Sequence, residues 1–459
     1  MDAFNHFLPW TKKRVQTVSA ETWRQLALPD QNIRQDQKVP ITALMVLLWQ
    51  KYNGNCRVKT FKERALLVNW YCNLAYSIWN IEQLESVLAG TAPSIVQNKK
   101  SGFNLIGYSR ASLGLGEDLR RYADLFEESD IPYSIYHIGH ASESTELFGN
   151  KQERYDLPYD TSLFCLNVIE LRKLFDIWGE SLHADFGRII VAPPWELPQL
   201  PEEWISVLEQ CDEVWAMSKF VESAYKSAPE IAHKVSYFPP VVRAPDGRQE
   251  APAQKRPFTF LYIFDAGSFI SRKNPRAAVD AFLLAFPKND TNVRLIIKTS
   301  NVHTDTKEWL EFAALCRLDP RISLYRESFS ERKMNRLWAQ CDCYLSLHRS
   351  EGFGRTIAEA VARKIPVIST HWSGSTDITG TDYPLGVAFK LVELQPDEYP
   401  YWQNQRWAAP DIEDAASKMQ WVVNNQNRGD LFEIIEQSYG RYISKFSLFA
   451  ERPHCLNER

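Results

Sequence analysis

The chain alternates short apolar runs with helical stretches, and it does so in two separate series. From residue 101, "FNLIGY", "PYSIYHI", "SLFCLNVI", "RIIVAPP", "EVWAMS" and "KVSYFP" read as buried strands, with helical stretches such as "LGLGEDLRRYADLFEES" between several of them. From residue 258, "FTFLYIF", "VRLIIKTS", "ISLYR", "CYLSLH" and "PVIST" repeat the pattern, with "PRAAVDAFLLAF" as the first helix. Parallel strands need long crossovers, and helices are the usual ones. The alternation therefore predicts parallel sheets covered by helices on both faces. Between the series, "RAPDGRQEAPAQKRP", 243–257, is polar and Pro-rich and reads as a linker. Residues 1–98 read as helical, with apolar spacing in "KERALLVNWYCNLAYSIWNIEQLESVLAG" that stops at Gly90. The predicted class is α/β. It has a helical N-terminal extension (1–98), two Rossmann-like units (99–245 and 246–425) and a helical C-terminal tail (426–459).

Bulk charge narrows the partners. A formal net charge of −4 argues against nucleic acid binding by the whole chain. Residues 1–64 nevertheless carry eleven Lys and Arg against five acids. They read either as solvated surface or as a contact for anionic lipid headgroups. No apolar core of signal-peptide length opens the chain. The longest apolar run, "ITALMVLLW" at 41–49, is far shorter than the roughly 20 residues a spanning helix needs. The eight cysteines form no C-x-x-C pair; Cys341 and Cys343 read as small core residues in a reducing cytosol. Cytoplasmic localisation is expected, with a peripheral contact at the inner membrane as an addition.

The stretch "EGFGRTIAEA", 351–360, carries the chemistry. It sits between two strands, at a carboxyl end, where open α/β sheets bind ligands. Its glycines let backbone approach a ligand, and the N–H groups at the helix start, near Gly354 and Arg355, favour an anion such as a phosphate. Glu351 and Glu359 would repel a phosphate but suit hydroxyls on either side of it. Eight residues of helix span roughly 12 Å, less if Glu351 lies in the loop. A nucleoside diphosphate sugar offers hydroxyls at both ends, so Glu351 would take the sugar and Glu359 the ribose. Other strand-to-helix turns join this one. "FDAGSFISRKNPRAAVDAF" carries Arg272, Lys273 and Asn274 ahead of a Pro-started helix. "SGSTDIT" follows the next strand, "SRASLGLGEDLRR" is glycine-rich, and "PPWELPQLPEEW" precedes a strand ending in Ser218.

Together these motifs resemble the retaining nucleotide-sugar glycosyltransferases of family 4, of the bacterial surface-polysaccharide type, over residues 101–425. The resemblance implies the GT-B fold, two Rossmann-like domains facing a cleft, with the first on the acceptor side and the second on the donor side. It assigns Glu351, with backbone at Gly352, Phe353 and Gly354, to the transferred sugar, Glu359 to the ribose and Lys273 to the diphosphate. Family members often place an Arg shortly before that Lys; here the position reads Gly267-Ser268. Arg272 or Lys298 would then supply the second positive charge, with Ser268 beside the donor. Gly114 and Gly116 match the glycine loop that faces the donor. The first-unit loop that often holds a His reads Pro194-Trp195-Glu196, which puts Trp195 and Glu196 on the acceptor side.

The implied reaction is transfer with retention, without a protein nucleophile, the departing diphosphate taking the acceptor's proton. No D-x-D motif ends a strand, so neither metal nor cofactor is expected. The implied partners are a nucleotide sugar and a glycan or lipid-linked acceptor. Three other readings stay open: a nicotinamide-dependent dehydrogenase, suggested by "GLGLGE" but lacking the full G-x-G-x-x-G; a non-catalytic glycosyltransferase-like partner or scaffold; and an epimerase or phosphorylase on the same fold.

Overall fold

The computed structural model describes residues 32–35, 41, 43, 45, 46, 49, 58–70, 99–111, 113–138, 157–178, 182–243, 256–302 and 306–447. Among these residues twelve strands build two six-stranded sheets. The first holds β1 (Lys100–Gly107), β2 (Tyr133–His137), β3 (Tyr159–Cys165), β4 (Arg188–Val191), β5 (Glu213–Ala216) and β6 (Val235–Tyr237), in the order β2-β1-β3-β4-β5-β6. The second holds β7 (Phe258–Asp265), β8 (Val293–Ser300), β9 (Ile322–Tyr325), β10 (Cys343–Ser346), β11 (Val367–Thr370) and β12 (Gly386–Val387), in the order β12-β11-β10-β7-β8-β9. Every pairing in the second sheet is parallel. Its central strands are apolar along their length because helices cover both faces; Phe260, Leu261, Leu295, Ile297, Tyr344 and Leu345 are all buried.

The chain divides into two compact units, one of Met1–Leu119, Ile131–Ser162 and Ser181–Gly187, the other of Arg120–Asp130, Leu163–Glu180 and Arg188–Arg459. In the first, β1 and β2 pair in parallel from Phe103 opposite Tyr133 to Gly107 opposite His137. The buried Asn104 amide donates to the Tyr159 carbonyl at 2.9 Å and to Ser162 Oγ at 3.1 Å, so a polar side chain in the middle of β1 is fully used. The helix Phe61–Trp70 opens with a capping box: Thr60 N–H donates to Glu63 Oε2 at 2.7 Å and Glu63 N–H to Thr60 Oγ1 at 3.2 Å. Most of the predicted N-terminal helical extension, the linker residues 244–255 and the end of the tail lie outside the described residues.

Two differences from the sequence reading have clear causes. The strand expected over 162–169 stops at Cys165. Asn167 Oδ1 accepts from the Glu170 N–H at 2.9 Å, which starts the helix Val168–Trp178 in an apolar run that periodicity alone reads as strand. After β12 the chain forms an antiparallel hairpin, β13 (Phe389–Glu393) with β14 (Arg406–Pro410), before the helices Ile412–Asn424 and Gly429–Lys445. Its first strand, FKLVE, has no buried residue, and five residues with adjacent Leu391 and Val392 give no clean alternation to read.

Candidate functional site

Taken from β7 outward, the second sheet runs β7-β8-β9 on one side and β10-β11-β12 on the other. Doubly wound sheets bind ligands at the strand ends where this order reverses, here between β7 and β10. Arg272 and Lys273 follow β7, and Glu351 follows β10. Backbone and side chain tie the two segments together: Arg349 N–H donates to the Arg272 carbonyl at 2.8 Å, and the Asn274 amide to the Leu347 carbonyl at 2.9 Å. Asn274 is left-handed, φ 49°, a conformation Asn tolerates, and Pro275 then starts the helix Pro275–Ala285. The turn Ile270–Lys273 thus projects its two basic residues from a fixed backbone.

A charge cluster results. Lys273 Nζ lies 2.5 Å from Glu351 Oε1. Arg272 donates from Nη1 to the Ser350 carbonyl at 2.9 Å and to Glu351 Oε2 at 3.3 Å, and its Nη2 stands 3.7 Å from Glu196 Oε1. Burial opposes ionisation of Glu351, but Lys273 and Arg272 outweigh it and bring its pKa down to about 2. Burial, with Arg272 close by, pushes Lys273 down against the pull of Glu351. Arg272 stays charged: burial works against it, and Glu196 and Glu351 more than offset that. The predicted trio of Glu351, Lys273 and Arg272 therefore meets in one place, with Glu196 as its fourth charged member.

The glycines are there because backbone crosses backbone. A Cβ on Gly352 would stand 2.5 Å from the Trp195 carbonyl oxygen, and one on Gly374 would stand 2.0 Å from the Gly352 carbonyl oxygen. Gly374 N–H donates to the Glu351 carbonyl at 2.9 Å and Ser373 Oγ accepts from Glu351 N–H at 2.9 Å, so the loop after β11 fixes the loop after β10. Gly354, φ 93°, ends the turn and starts the helix Arg355–Ala362 without a side-chain cap. Phe353 is buried in edge contact with Phe446, which makes it a packing residue as well as part of the turn.

Other predicted residues stand apart from the cluster. Glu359 lies on the helix Arg355–Ala362, half-buried, its carbonyl accepting from Arg363 at 2.9 Å. Lys298 is buried on β8, where Nζ donates to the Thr299 carbonyl at 2.8 Å over the Phe329 ring. Burial lowers its pKa, and the charges acting on it are Glu327, Asp265 and Lys333 rather than Glu351. Of the two candidates for the second positive charge, Arg272 is the one beside Glu351. Ser268 closes a short 3-10 turn capped by Asp265, whose Oδ1 accepts from Gly267 N–H at 2.8 Å. Gly114 and Gly116 fall in the first turn of the helix Gly114–Glu128, and a Cβ on Gly114 would meet nothing within 4 Å. Trp195 is buried, with Nε1 donating to the Gln199 carbonyl at 3.0 Å.

Sequence reasoning passed over two residues. His348 is fully buried between Ser346 Oγ (3.1 Å) and Ser375 Oγ (3.2 Å). Burial holds its pKa down to about 4, so it is a neutral link between β10 and the loop after β11. Tyr399, between β13 and β14, donates to Glu196 Oε2 at 2.7 Å. His348 was visible as a polar residue ending an apolar strand; nothing local marks Tyr399. Among the described residues no group of three His, Cys, Asp or Glu side chains is placed to hold a metal ion, and no helix is long and apolar enough to cross a membrane.

Residues 263–392 match the family model described as glycosyl transferases group 1, the segment that holds Arg272, Lys273, Glu351 and Glu359. A search of curated proteins gives no match. Similar solved structures include Anabaena Alr3699/HepE in complex with UDP-glucose, at 12% identity and TM-score 0.54, covering 75% of this chain and 96% of that one. The lipopolysaccharide outer core galactosyltransferase WaaB in its apo form is similar at 15% identity and TM-score 0.51, covering 74% and 95%. Apo OtsA is similar at 9% identity and TM-score 0.53, covering 75% and 96%. At these identities the likeness is one of fold. The chain therefore has the GT-B fold, and its second sheet carries a segment matched by the group 1 glycosyltransferases.

Proposed function

We propose that the chain is a glycosyltransferase of family 4 that moves a sugar, of the hexosyl type, from a nucleotide-diphosphate sugar to a glycan or lipid-linked acceptor with retention of configuration. The observation that carries this reading is the meeting of Lys273, Arg272 and Glu351 at the switch point of the second sheet, inside the matched segment 263–392. Lys273 and Arg272 are cations where a diphosphate would leave, and Glu351 is an ionised acceptor for sugar hydroxyls. As the bond from the anomeric carbon to the diphosphate breaks, the acceptor oxygen bonds to that carbon on the same face and its proton passes to the departing diphosphate. The chain's task is then electrostatic: fixed cations stabilise charge developing on the leaving group, an effect worth several kcal/mol when preorganised. Those cations are the ground for proposing that no metal is needed. The helix start at Gly354 adds backbone dipoles, and Glu359 takes the ribose.

Alr3699/HepE is described with UDP-glucose and WaaB as a lipopolysaccharide outer core galactosyltransferase. Those descriptions support a UDP-sugar as the first donor to try and a bacterial surface polysaccharide as the setting, while the basic segment 1–64 is the ground for placing the work at the inner face of a membrane. The test is a thermal-shift panel of UDP-, GDP- and other nucleotide sugars, followed by mass spectrometry of products with candidate acceptors. A protein stabilised by one nucleotide sugar and its free nucleotide supports the reading; a protein that responds to none overturns it.

A further inference from the structure

The connection between β13 and β14 lies outside the segment matched by the glycosyltransferase model, yet it reaches the charge cluster. It is held from several sides. Gln405 Nε2 donates to the Gln199 carbonyl at 2.7 Å, and Gln199 N–H donates back to Gln405 Oε1 at 3.1 Å. Ser271 Oγ, next to Arg272, donates to the Glu398 carbonyl at 2.8 Å. The Tyr399 ring has Phe269 edge-on at 4.8 Å and Trp195 at 6.4 Å. Tyr399 is thereby fixed with its hydroxyl on Glu196 Oε2 and its ring facing the Arg272 guanidinium at 5.7 Å.

We propose that Tyr399 is a positioning residue that acts through Glu196 and Arg272 on the Glu351 carboxylate, and so sets how the transferred sugar is held; the proposal rests on the donor reading above. Among the described residues the Glu196 carboxylate accepts one hydrogen bond, from the Tyr399 hydroxyl at 2.7 Å, while its approach to Arg272, 3.7 Å, is too long for another. The phenol therefore holds Glu196 off the guanidinium. Burial, with Glu196 adjacent, keeps Tyr399 protonated and able to donate. Arg272 divides its hydrogen bonds between the Ser350 carbonyl and Glu351, and its Nε is buried without a partner among the described residues. Without the phenol, a half-desolvated Glu196 carboxylate turns to the nearest cation, which is Arg272. The guanidinium then follows Glu196 and loosens its 3.3 Å contact with Glu351. Lys273, already on the other oxygen, is left to hold Glu351 alone, and the carboxylate loses its fixed aim at sugar hydroxyls.

The test is a double-mutant cycle on the full chain, read by calorimetry with UDP and UDP-glucose, and with GDP and GDP-mannose as the second pair. Tyr399→Phe keeps the ring and removes only the hydroxyl. It is expected to cost the nucleotide sugar roughly tenfold more affinity than it costs the free nucleotide, which meets the same cations but not the Glu351 carboxylate. In a Glu196→Gln background the same change is expected to have no further effect, because the residue through which it acts has lost its charge. Equal losses for nucleotide and nucleotide sugar, a Tyr399→Phe protein indistinguishable from wild type, or losses that add in the double variant would overturn the proposal while the donor reading stands. A wild-type protein that binds none of the four probes removes the donor reading, and this inference with it.

Discussion

Lys273 Nζ sits 2.5 Å from Glu351 Oε1, so the cation expected to meet the diphosphate is paired with the carboxylate expected to meet the sugar. On the proposed donor reading, a diphosphate and Glu351 would compete for one ammonium. Glu351→Gln is expected to tighten binding of the free nucleotide severalfold while removing the gain from the attached sugar. Lys273→Ala is expected to weaken both ligands and to slow turnover roughly a hundredfold. Calorimetry and initial rates check these outcomes; nucleotide affinity unchanged in Glu351→Gln would mean that the pair does not compete with the ligand.

Glu359 is expected to behave in the opposite way. It stands on the helix Arg355–Ala362, clear of the Lys273 contact. Glu359→Ala should weaken free nucleotide and nucleotide sugar by the same factor, about tenfold for a lost hydrogen bond to a charged group. A deficit confined to the nucleotide sugar would place it on the sugar instead of the ribose.

Three glycines separate packing from ligand space. Gly374→Ala puts a Cβ 2.0 Å from the Gly352 carbonyl oxygen, and Gly352→Ala puts one 2.5 Å from the Trp195 carbonyl oxygen, both against backbone. Each is expected to lower stability by about 1–3 kcal/mol. Gly114→Ala meets nothing within 4 Å and should melt like wild type. Lost activity in Gly114→Ala at unchanged melting temperature would report room needed by a ligand; unchanged activity would remove Gly114 from the site.

Acid should loosen the site before it unfolds the rest. His348 is held neutral, its pKa lowered from 6.5 to about 4, so the unfolded chain binds more protons here and stability falls as pH drops below 6.5. Glu351, lowered to about 2, adds a loss that begins only below its ordinary value of 4.5. Between pH 6.5 and 5 the His348 contribution is roughly 2 kcal/mol. His348→Gln is expected to flatten the melting-temperature profile over that window, and a profile as steep as wild type would show that another group titrates there.

The basic segment 1–64, most of which lies outside the described residues, is the ground for proposing peripheral membrane contact. Each basic residue near an anionic surface is worth about 1 kcal/mol, and salt screens it. The protein is expected to float with anionic liposomes at low salt and to release at high salt. Retention in the soluble fraction at every salt, with transfer to a water-soluble acceptor, removes the membrane contact and leaves the transferase reading intact.

Much of the charge cluster was legible because its signals are local. A Gly-Phe-Gly turn between a strand and a helix needs only neighbouring residues to be recognised, and so does Arg-Lys-Asn ahead of a Pro-started helix. The choice between Arg272 and Lys298 was not local. Both are basic, Arg272 after β7 and Lys298 near the end of β8; only the packing of β7, β8 and β10 puts Arg272 beside Glu351 and points Lys298 at Phe329. The boundary at Cys165 was missed for a related reason, since an Asn cap inside an apolar run is a single residue competing with a strong period.

The sequence by itself determined the alternation of strands and helices, hence the parallel sheets and the strand ends where ligands bind, because short-range apolar patterning and turn chemistry leave few other ways to bury those side chains. It also determined the charges available at those ends. Which charges meet was decided by the tertiary structure alone. Tyr399 and Glu196 are 203 residues apart, and their hydrogen bond exists only because the β13–β14 connection folds back onto the loop after β4. Periodicity does not encode such a contact, since the energy that selects it comes from burial and pairing of groups that no local window contains.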